Sequence, residues 1–360
     1  MQSRPSYNLL TRTLHKIAFN SASLQNLFID IEKSLFFEEY QQIKITSPIF
    51  ITSLPRAGTS ILLNLLNQIS NNVSYTYREM PFLHSPIIWN KFSQAFSTQT
   101  QLKERAHGDG LKINFDSPEA FDEVFWLKFY GDHYSQQNIK LWHEAEINND
   151  FNKSYFNQIK KIIYLKALQP QDGFNYISKN NVNVARIPLI QSLFNDAQII
   201  VPFRDPLEQA ISLFRQHQKF QHQHKIDKFS YQYMKDIGHF EFGLLHKPIA
   251  FNGFEFYQQQ YSTSDVDYWL SYWISAYKHI LTNNGIKFIS FESICSQGQD
   301  GVTKLFDKLN MGGQNEEIAK ATKLLNSAPS KRYKDYNFSR ILIEQAYEIH
   351  NKMTNQCILK

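Results

Sequence analysis

The segment Ser53-Leu-Pro-Arg-Ala-Gly-Thr-Ser60 packs a cation, a glycine and three hydroxyls into one tight turn. It lies between the apolar, β-branched run Ile43-Lys-Ile-Thr-Ser-Pro-Ile-Phe-Ile-Thr52 and a helical repeat of Ile61, Leu62, Leu65, Leu66 and Ile69. A glycine turn that opens a helix presents unpaired amides and the positive end of the helix dipole, and both favour an anion. Phosphate is the natural occupant. A Walker A loop sets Lys directly after its glycine and a hydroxyl on magnesium. Here Gly58 is followed by Thr59 and Ser60, and the cation, Arg56, comes before the glycine. Arg56 is placed to meet a 5′-phosphate and a departing bridging oxygen without a triphosphate or a metal. The competing reading is a Pro/Gly turn that only joins strand to helix.

The elements around this loop follow from periodicity. Residues 6 to 37 repeat apolar positions at helical spacing, through Leu9, Leu10, Leu14, Ile17, Leu24, Leu27, Phe28 and Ile31. Ile43 to Thr52 reads as a strand, and so do Ala197 to Phe203 and Ile286 to Ser290, the last following a helix around Trp269 to Leu281. After Phe203 comes Arg204, then a helix in which Asp205, Pro206 and Glu208 take the cap, first and third positions. Strands separated by helices predict a parallel, helix-covered sheet. Residues 80 to 170 and 215 to 262 are long insertions, the first mostly helical and broken at His107-Gly-Asp-Gly110, Ser117-Pro118 and Gly131. The second is aromatic and rich in Gln and His. Apolar residues persist through both, so they are expected to form the acceptor side of a cleft rather than linkers, within a single domain over 1–360.

Leu54-Pro55-Arg56-Ala57-Gly58-Thr59-Ser60 resembles the 5′-phosphosulfate loop of the sulfotransferase family, and Arg204-Asp-Pro-Leu-Glu-Gln-Ala-Ile-Ser212 resembles its second signature. In that signature an Arg at a strand end and a Ser eight positions later hold the cofactor's 3′-phosphate. Later stretches, including Gly238-His239-Phe240-Glu241-Phe242-Gly243, are similar to a bacterial subgroup of the family, and the resemblance runs from about residue 48 to 355. It implies a P-loop-like three-layer α/β fold and 3′-phosphoadenosine 5′-phosphosulfate (PAPS) as co-substrate. The implied cofactor contacts are Pro55, Arg56, Ala57, Gly58, Thr59, Ser60, Arg204 and Ser212, with Lys331 and Arg332 in a basic loop near the C-terminus. An Arg fork with a hydroxyl suits a phosphate dianion that AMP and ATP lack at the 3′ position. Arg56 stands where many members have Lys. Ala57 stands where many have Ser, which removes one expected hydroxyl contact.

Sulfuryl transfer needs an in-line acceptor, a base for its proton and positive charge on the leaving oxygen. The resemblance puts Arg56 on the leaving side and Lys179, in Tyr176-Ile-Ser-Lys-Asn-Asn181, beside the sulfuryl group. Two bases stand open: Glu79 in Tyr77-Arg-Glu-Met-Pro-Phe82, and His107, whose imidazole titrates nearer neutrality. Glu119 and Glu123 open a helix, where the dipole already accounts for acidic residues. His217, His222 and His224 lack metal-ligand spacing, and His143-Glu-Ala-Glu146 is not HExxH, so no metal is expected. Tyr268, Trp269, Tyr272 and Trp273 have the spacing of core.

Composition narrows the class. A hydrophobic share of 42% with 15% aromatics suffices for a large core, and 38 basic against 33 acidic residues gives a net charge of only +5. There is no basic run of the nucleic-acid-binding kind, so no nucleic-acid partner is expected. Two cysteines without a CxxC exclude a disulfide framework, and no stretch is apolar enough to span a membrane. The expected location is the cytoplasm. A metal-dependent nucleotide phosphotransferase and a non-catalytic nucleotide-binding protein remain as alternatives. Carbohydrate, lipid, peptide and small alcohol all stay open as acceptors, as does the oligomeric state.

Overall fold

The apolar run ahead of the glycine turn does become a strand, but a short one. The computed structural model describes residues 9–93, 103–104, 112–166, 173–325 and 335–359. Strand β1 covers only Ile49–Ile51, all buried. Ser47 turns through the left-handed region at φ 42° and Pro48 has no amide to donate, so the ladder starts at Ile49, with only the Pro48 carbonyl accepting from Gln198 N at 2.9 Å before it. The other strands are β2 (Asn72–Val73), a two-residue ladder of β3 (Lys103–Glu104) with β4 (Lys112–Ile113), β5 (Asn175–Lys179), β6 (Gln198–Phe203) and β7 (Ile286–Ser290).

Five of these form one parallel sheet in the order β2-β5-β1-β6-β7. The central strand β1 lies between β5 and β6, with Ile51 beside Lys179 on one side and Ile200 on the other. The chain leaves β1 towards β2 on one flank and completes the other flank with β6 and β7. The C-terminal end of β1 is therefore the switch point, where ligands of open α/β sheets bind. Backbone bonds carry the pairing past the strand ends: Thr52 N donates to Ile200 O at 2.9 Å, and Asn180 N to Ile51 O at 3.0 Å.

Helices flank the sheet, as the P-loop-like α/β expectation requires. They are α1 (Leu9–Asn20), α2 (Ala22–Gln41), α3 (Thr59–Leu66), α4 (Pro86–Ser93), α5 (Glu123–Phe129), α6 (Asn149–Lys166), α7 (Ile187–Leu193) and α8 (Pro206–Ile226). After these come α9 (Lys228–Asp236), α10 (Phe254–Gln260), α11 (Val266–Leu281), α12 (Phe291–Gln297), α13 (Gln299–Lys308), α14 (Asn315–Thr322) and α15 (Arg340–Asn355). The first helical run is two helices, because Ser21 caps α2 by accepting from Leu24 N. Buried apolar side chains from Tyr40 to Leu359 contact one another in one cluster, and Tyr268, Trp269, Tyr272 and Trp273 of α11 belong to it. No helix among the described residues is long and apolar enough to cross a membrane.

Candidate functional site

The turn after β1 is held from beneath by a polar clamp. Gln209 of α8 donates from Nε2 to the carbonyls of Leu54 (3.2 Å) and Pro55 (3.0 Å), while its Oε1 accepts from Trp273 Nε1 (3.0 Å) and Tyr277 OH (3.1 Å). The buried Ser53 hydroxyl lies 2.7 Å from Tyr277 OH. Both polar atoms of the Gln209 amide are thus used, the nitrogen to hold the loop backbone and the oxygen to anchor the amide to α11. Arg56 and Gly58 both have left-handed backbone, at φ 71° and 92°. A Cβ on Gly58 would come within 2.4 Å of the Phe291 ring, so only glycine fits there. Gly58 caps α3 without a side-chain hydrogen bond, and the positive end of the helix dipole there favours an anion.

The second signature folds against the first. Asp205 caps α8 by accepting from Leu207 N and Glu208 N, both at 3.0 Å, and its other oxygen accepts from Tyr347 OH at 3.0 Å. The cap sets the helix so that Arg204, at the end of β6, turns back to the loop. Arg204 Nη1 donates to Arg56 O at 3.2 Å, and Arg56 Nε donates to Ser212 Oγ at 3.0 Å. Arg204 Nε faces Glu292 at 3.7 Å, an ion-pair distance but too long for a hydrogen bond, and Nε has no such bond among the described residues. A buried guanidinium nitrogen lacking an acceptor suits an added anion.

Residues 48–244 match the profile of the family described as "Sulfotransferase family". The chain belongs to the sulfotransferase family. This sulfotransferase is similar to sulfotransferase STF9 from Mycobacterium avium, with 14% identity over 99% of this chain and 88% of that one at a TM-score of 0.48. It is also similar to sulfotransferase STF1 from Mycobacterium tuberculosis H37Rv, with 12% identity over 97% and 88% and a TM-score of 0.48. A third likeness is to the sulfotransferase domain from the Synechococcus PCC 7002 olefin synthase, with 12% identity over 87% and 96% and a TM-score of 0.39. No curated protein sequence matches the chain.

On the other side of β1, Lys179 ends β5 and is buried. The next residue, Asn180, donates from Nδ2 to Glu123 Oε2 at 2.6 Å, and Glu123 also pairs with Arg186, itself sandwiched between Trp126 and Trp142. Glu123 is therefore more than a helix-start acid: it braces the end of β5 from within the core of this sulfotransferase. Asn181 accepts from Thr59 Oγ1 at 3.5 Å, so the end of β5 also touches the first residue of α3.

Of the two bases read from the sequence, His107 lies outside the described residues, as do Lys331 and Arg332. Glu79 is fully buried in the short 3-10 turn Tyr77–Glu79. One of its oxygens accepts from Thr76 N (2.5 Å) and Thr76 Oγ1 (2.9 Å), closing a capping box, and the other pairs with Lys166 Nζ at 3.1 Å. Its described partners thus commit both oxygens to structure. Glu119 accepts from Tyr77 OH at 2.6 Å. The structure brings together Arg56, Arg204, Ser212 and the loop 53–60, with Lys179 one strand away. Among the described residues no group of three or more His, Cys, Asp or Glu is placed to hold a metal.

Sequence reasoning gave no role to Gln209, Asn181 or Glu241. Gln209 lies inside the second signature, and its facing position on the loop side of α8 was the available signal. Asn181 and Glu241 line a small cavity with Leu54 and Pro55 of the loop, against Trp269 and Tyr272 of α11. Its free volume is about 20 Å³, room for little more than a water.

Proposed function

We propose that this chain transfers a sulfuryl group from PAPS to a hydroxyl or amine acceptor by in-line displacement. The observation that supports the reading is the joining of the two anion cradles: Arg56 and Arg204 are linked through one backbone carbonyl, and Ser212 lies on the Arg56 side chain. Two cradles in contact can serve the two phosphate-bearing ends of one adenosine. The start of α3 and Arg56 suit the 5′-phosphosulfate, while Arg204 Nε and Ser212 suit the 3′-phosphate.

In the step itself, the acceptor oxygen or nitrogen bonds to sulfur as the bond from sulfur to the bridging oxygen breaks. The electron pair leaves on the 5′-phosphate of adenosine 3′,5′-bisphosphate (PAP), and the acceptor proton passes to a base. Arg56 and Lys179 carry the positive charge that such a leaving group calls for. Glu79 can act as the base only by releasing Lys166 or Thr76, and His107 is the second sequence-derived choice.

The test is transfer from radiolabelled PAPS to a panel of alcohols, phenols, sugars and amines. Labelled product with the wild type and none with Arg56→Ala or Lys179→Ala, under conditions where both variants still bind PAP, is the expected result. PAP binding without label transfer to any acceptor or to water would favour a non-catalytic nucleotide-binding protein. A rate that rises only with magnesium and ATP would favour a phosphotransferase.

A further inference from the structure

The turn Gly238–Lys247, between α9 and α10, is fixed with unusual thoroughness for a loop. A Cβ on Gly238 (φ 77°) would come within 2.5 Å of Glu123 Cγ, and one on Gly243 (φ 70°) within 2.7 Å of His224 Nδ1. Three imidazoles hold its backbone. His217 Nδ1 accepts from Gly243 N and His224 Nδ1 from Leu244 N, each at 3.2 Å, and His246 Nδ1 lies 2.7 Å from Glu241 O. Lys247 N donates to Phe240 O at 2.8 Å, and its Nζ to Ser135 O at 2.6 Å. Rigidity of this order is what a loop needs when it carries a positioned reactive group.

What the turn presents is a carboxylate–imidazole pair. Glu241 Oε2 lies against His239 Nδ1, a contact that becomes an ion pair when the imidazole takes up a proton, and Glu241 Oε1 accepts from Asn181 Nδ2 at 3.2 Å. Asn181 in turn accepts from Thr59 at the start of α3, so a polar row runs from the phosphate loop through Asn181 and Glu241 to His239. Glu241 also shares the cavity with Leu54 and Pro55 of that loop. Burial favours its neutral form, but the His239 and Lys179 charges outweigh this and hold its carboxyl down at about 2. Glu241 is therefore a permanent anion and a feeble base, well placed to orient a neighbouring imidazole.

We propose that His239 takes the acceptor's proton and that Glu241 is its positioning residue, with Asn181 fixing the pair to the phosphate loop. The inference rests on the sulfuryl-transfer reading. Glu241 at Nδ1 keeps a proton there and makes Nε2 the basic nitrogen. As the acceptor oxygen bonds to sulfur, its proton moves to Nε2, the bond from sulfur to the bridging oxygen breaks, and PAP leaves with the electron pair. Among the described residues, the charged or titratable groups around the pair include His246 and Lys247 on its own turn, His224 from α8, Lys179 from β5, Glu123 from α5 and Tyr272 from α11.

The experiment uses the full chain, radiolabelled PAPS and naphthol as acceptor, with PAPS hydrolysis as the readout if naphthol is not accepted. His239→Asn is expected to lower kcat by about 10²–10⁴-fold while leaving PAP affinity unchanged. Glu241→Gln, which keeps the bond from Asn181, is expected to move the acid limb of the kcat–pH profile to lower pH. A residue with only a structural role would not shift that limb. In the wild type, the protonation of His239 followed by NMR in the PAP complex should coincide with the limb, and this measurement needs no variant to fold. An unchanged kcat in His239→Asn, or an NMR titration that misses the limb, overturns the proposal while sulfuryl transfer stands. A wild type that binds PAP but neither sulfates naphthol nor hydrolyses PAPS overturns the transfer reading itself.

Discussion

Arg56 donates from Nε to Ser212 Oγ at 3.0 Å, joining the loop after β1 to the second turn of α8 across 156 residues of sequence. A residue expected at the 5′ end of the donor thus rests on a residue expected at its 3′ end, and Arg204 holds the Arg56 carbonyl beside them. The two groups a nucleotide would bridge are already neighbours.

Arg204→Ala should weaken PAP binding by about 10–100-fold, the loss of a charge-assisted contact of about 1.5–3 kcal/mol, and should leave AMP affinity little changed. Ser212→Ala should do the same to a smaller degree. Isothermal titration of each variant with both nucleotides checks this, and an equal loss for PAP and AMP would take Arg204 away from the 3′-phosphate.

Gly58→Ala forces an L side chain into φ 92° and its Cβ to 2.4 Å from Phe291. The strain should lower unfolding stability by about 1–3 kcal/mol and reduce PAP affinity as the loop shifts. Urea unfolding and titration read the two effects. A variant as stable and as tight as the wild type would mean that the loop backbone does not set the site.

Glu79→Gln preserves the capping box, since Gln serves at that position, but strips the charge that pairs with Lys166. The expected cost is about 1–3 kcal/mol of stability, below that of a fully buried pair because Lys166 reaches solvent. Transfer by the folded variant should persist. Abolished transfer with unchanged stability would restore Glu79 as the base.

Acid should unfold the protein from the turn at 238–247. Burial keeps His217 down at about 4 and His246 at about 3, and it also lowers His224. The same rings titrate near pH 6.5 when unfolded, so below that pH the unfolded chain binds more protons and stability falls. Each ring contributes a slope of about 1.4 kcal/mol per pH unit from about pH 6.5 down to its folded value, and none above it. Urea unfolding between about pH 7 and 5 measures the slope. A flat profile would contradict the neutral, buried state of these rings.

The strand–loop–helix units were legible because their residues obey local rules. Ile199, Ile200 and Val201 are buried and apolar, and Asp205-Pro206 announces its helix, so β6 and α8 fall where periodicity and capping put them. β7 likewise matches Ile286–Ser290. β5 was not legible, because Asn175-Tyr-Ile-Ser-Lys179 has only two adjacent apolar residues, too few for a strand pattern, and becomes a strand only through pairing with β1 and β2. The setting of the acids and imidazoles offered as bases was illegible for a related reason. Glu79 follows a strand as an active-site acid often does, yet its local sequence, Thr76 three residues before it, equally writes a capping box. His239 and Glu241 acquire their setting from Asn181 and Lys179, some sixty residues away, and no local pattern encodes such a contact.

The most direct test of the central claim is the affinity of the wild-type chain for PAP against AMP, titrated without magnesium. Two cradles serving one doubly phosphorylated adenosine predict that PAP binds at least about 10-fold more tightly, the worth of one additional charge-assisted phosphate contact. Equal affinities for PAP and AMP would contradict it, since Arg204 and Ser212 would then make no contact that a 3′-phosphate could exploit.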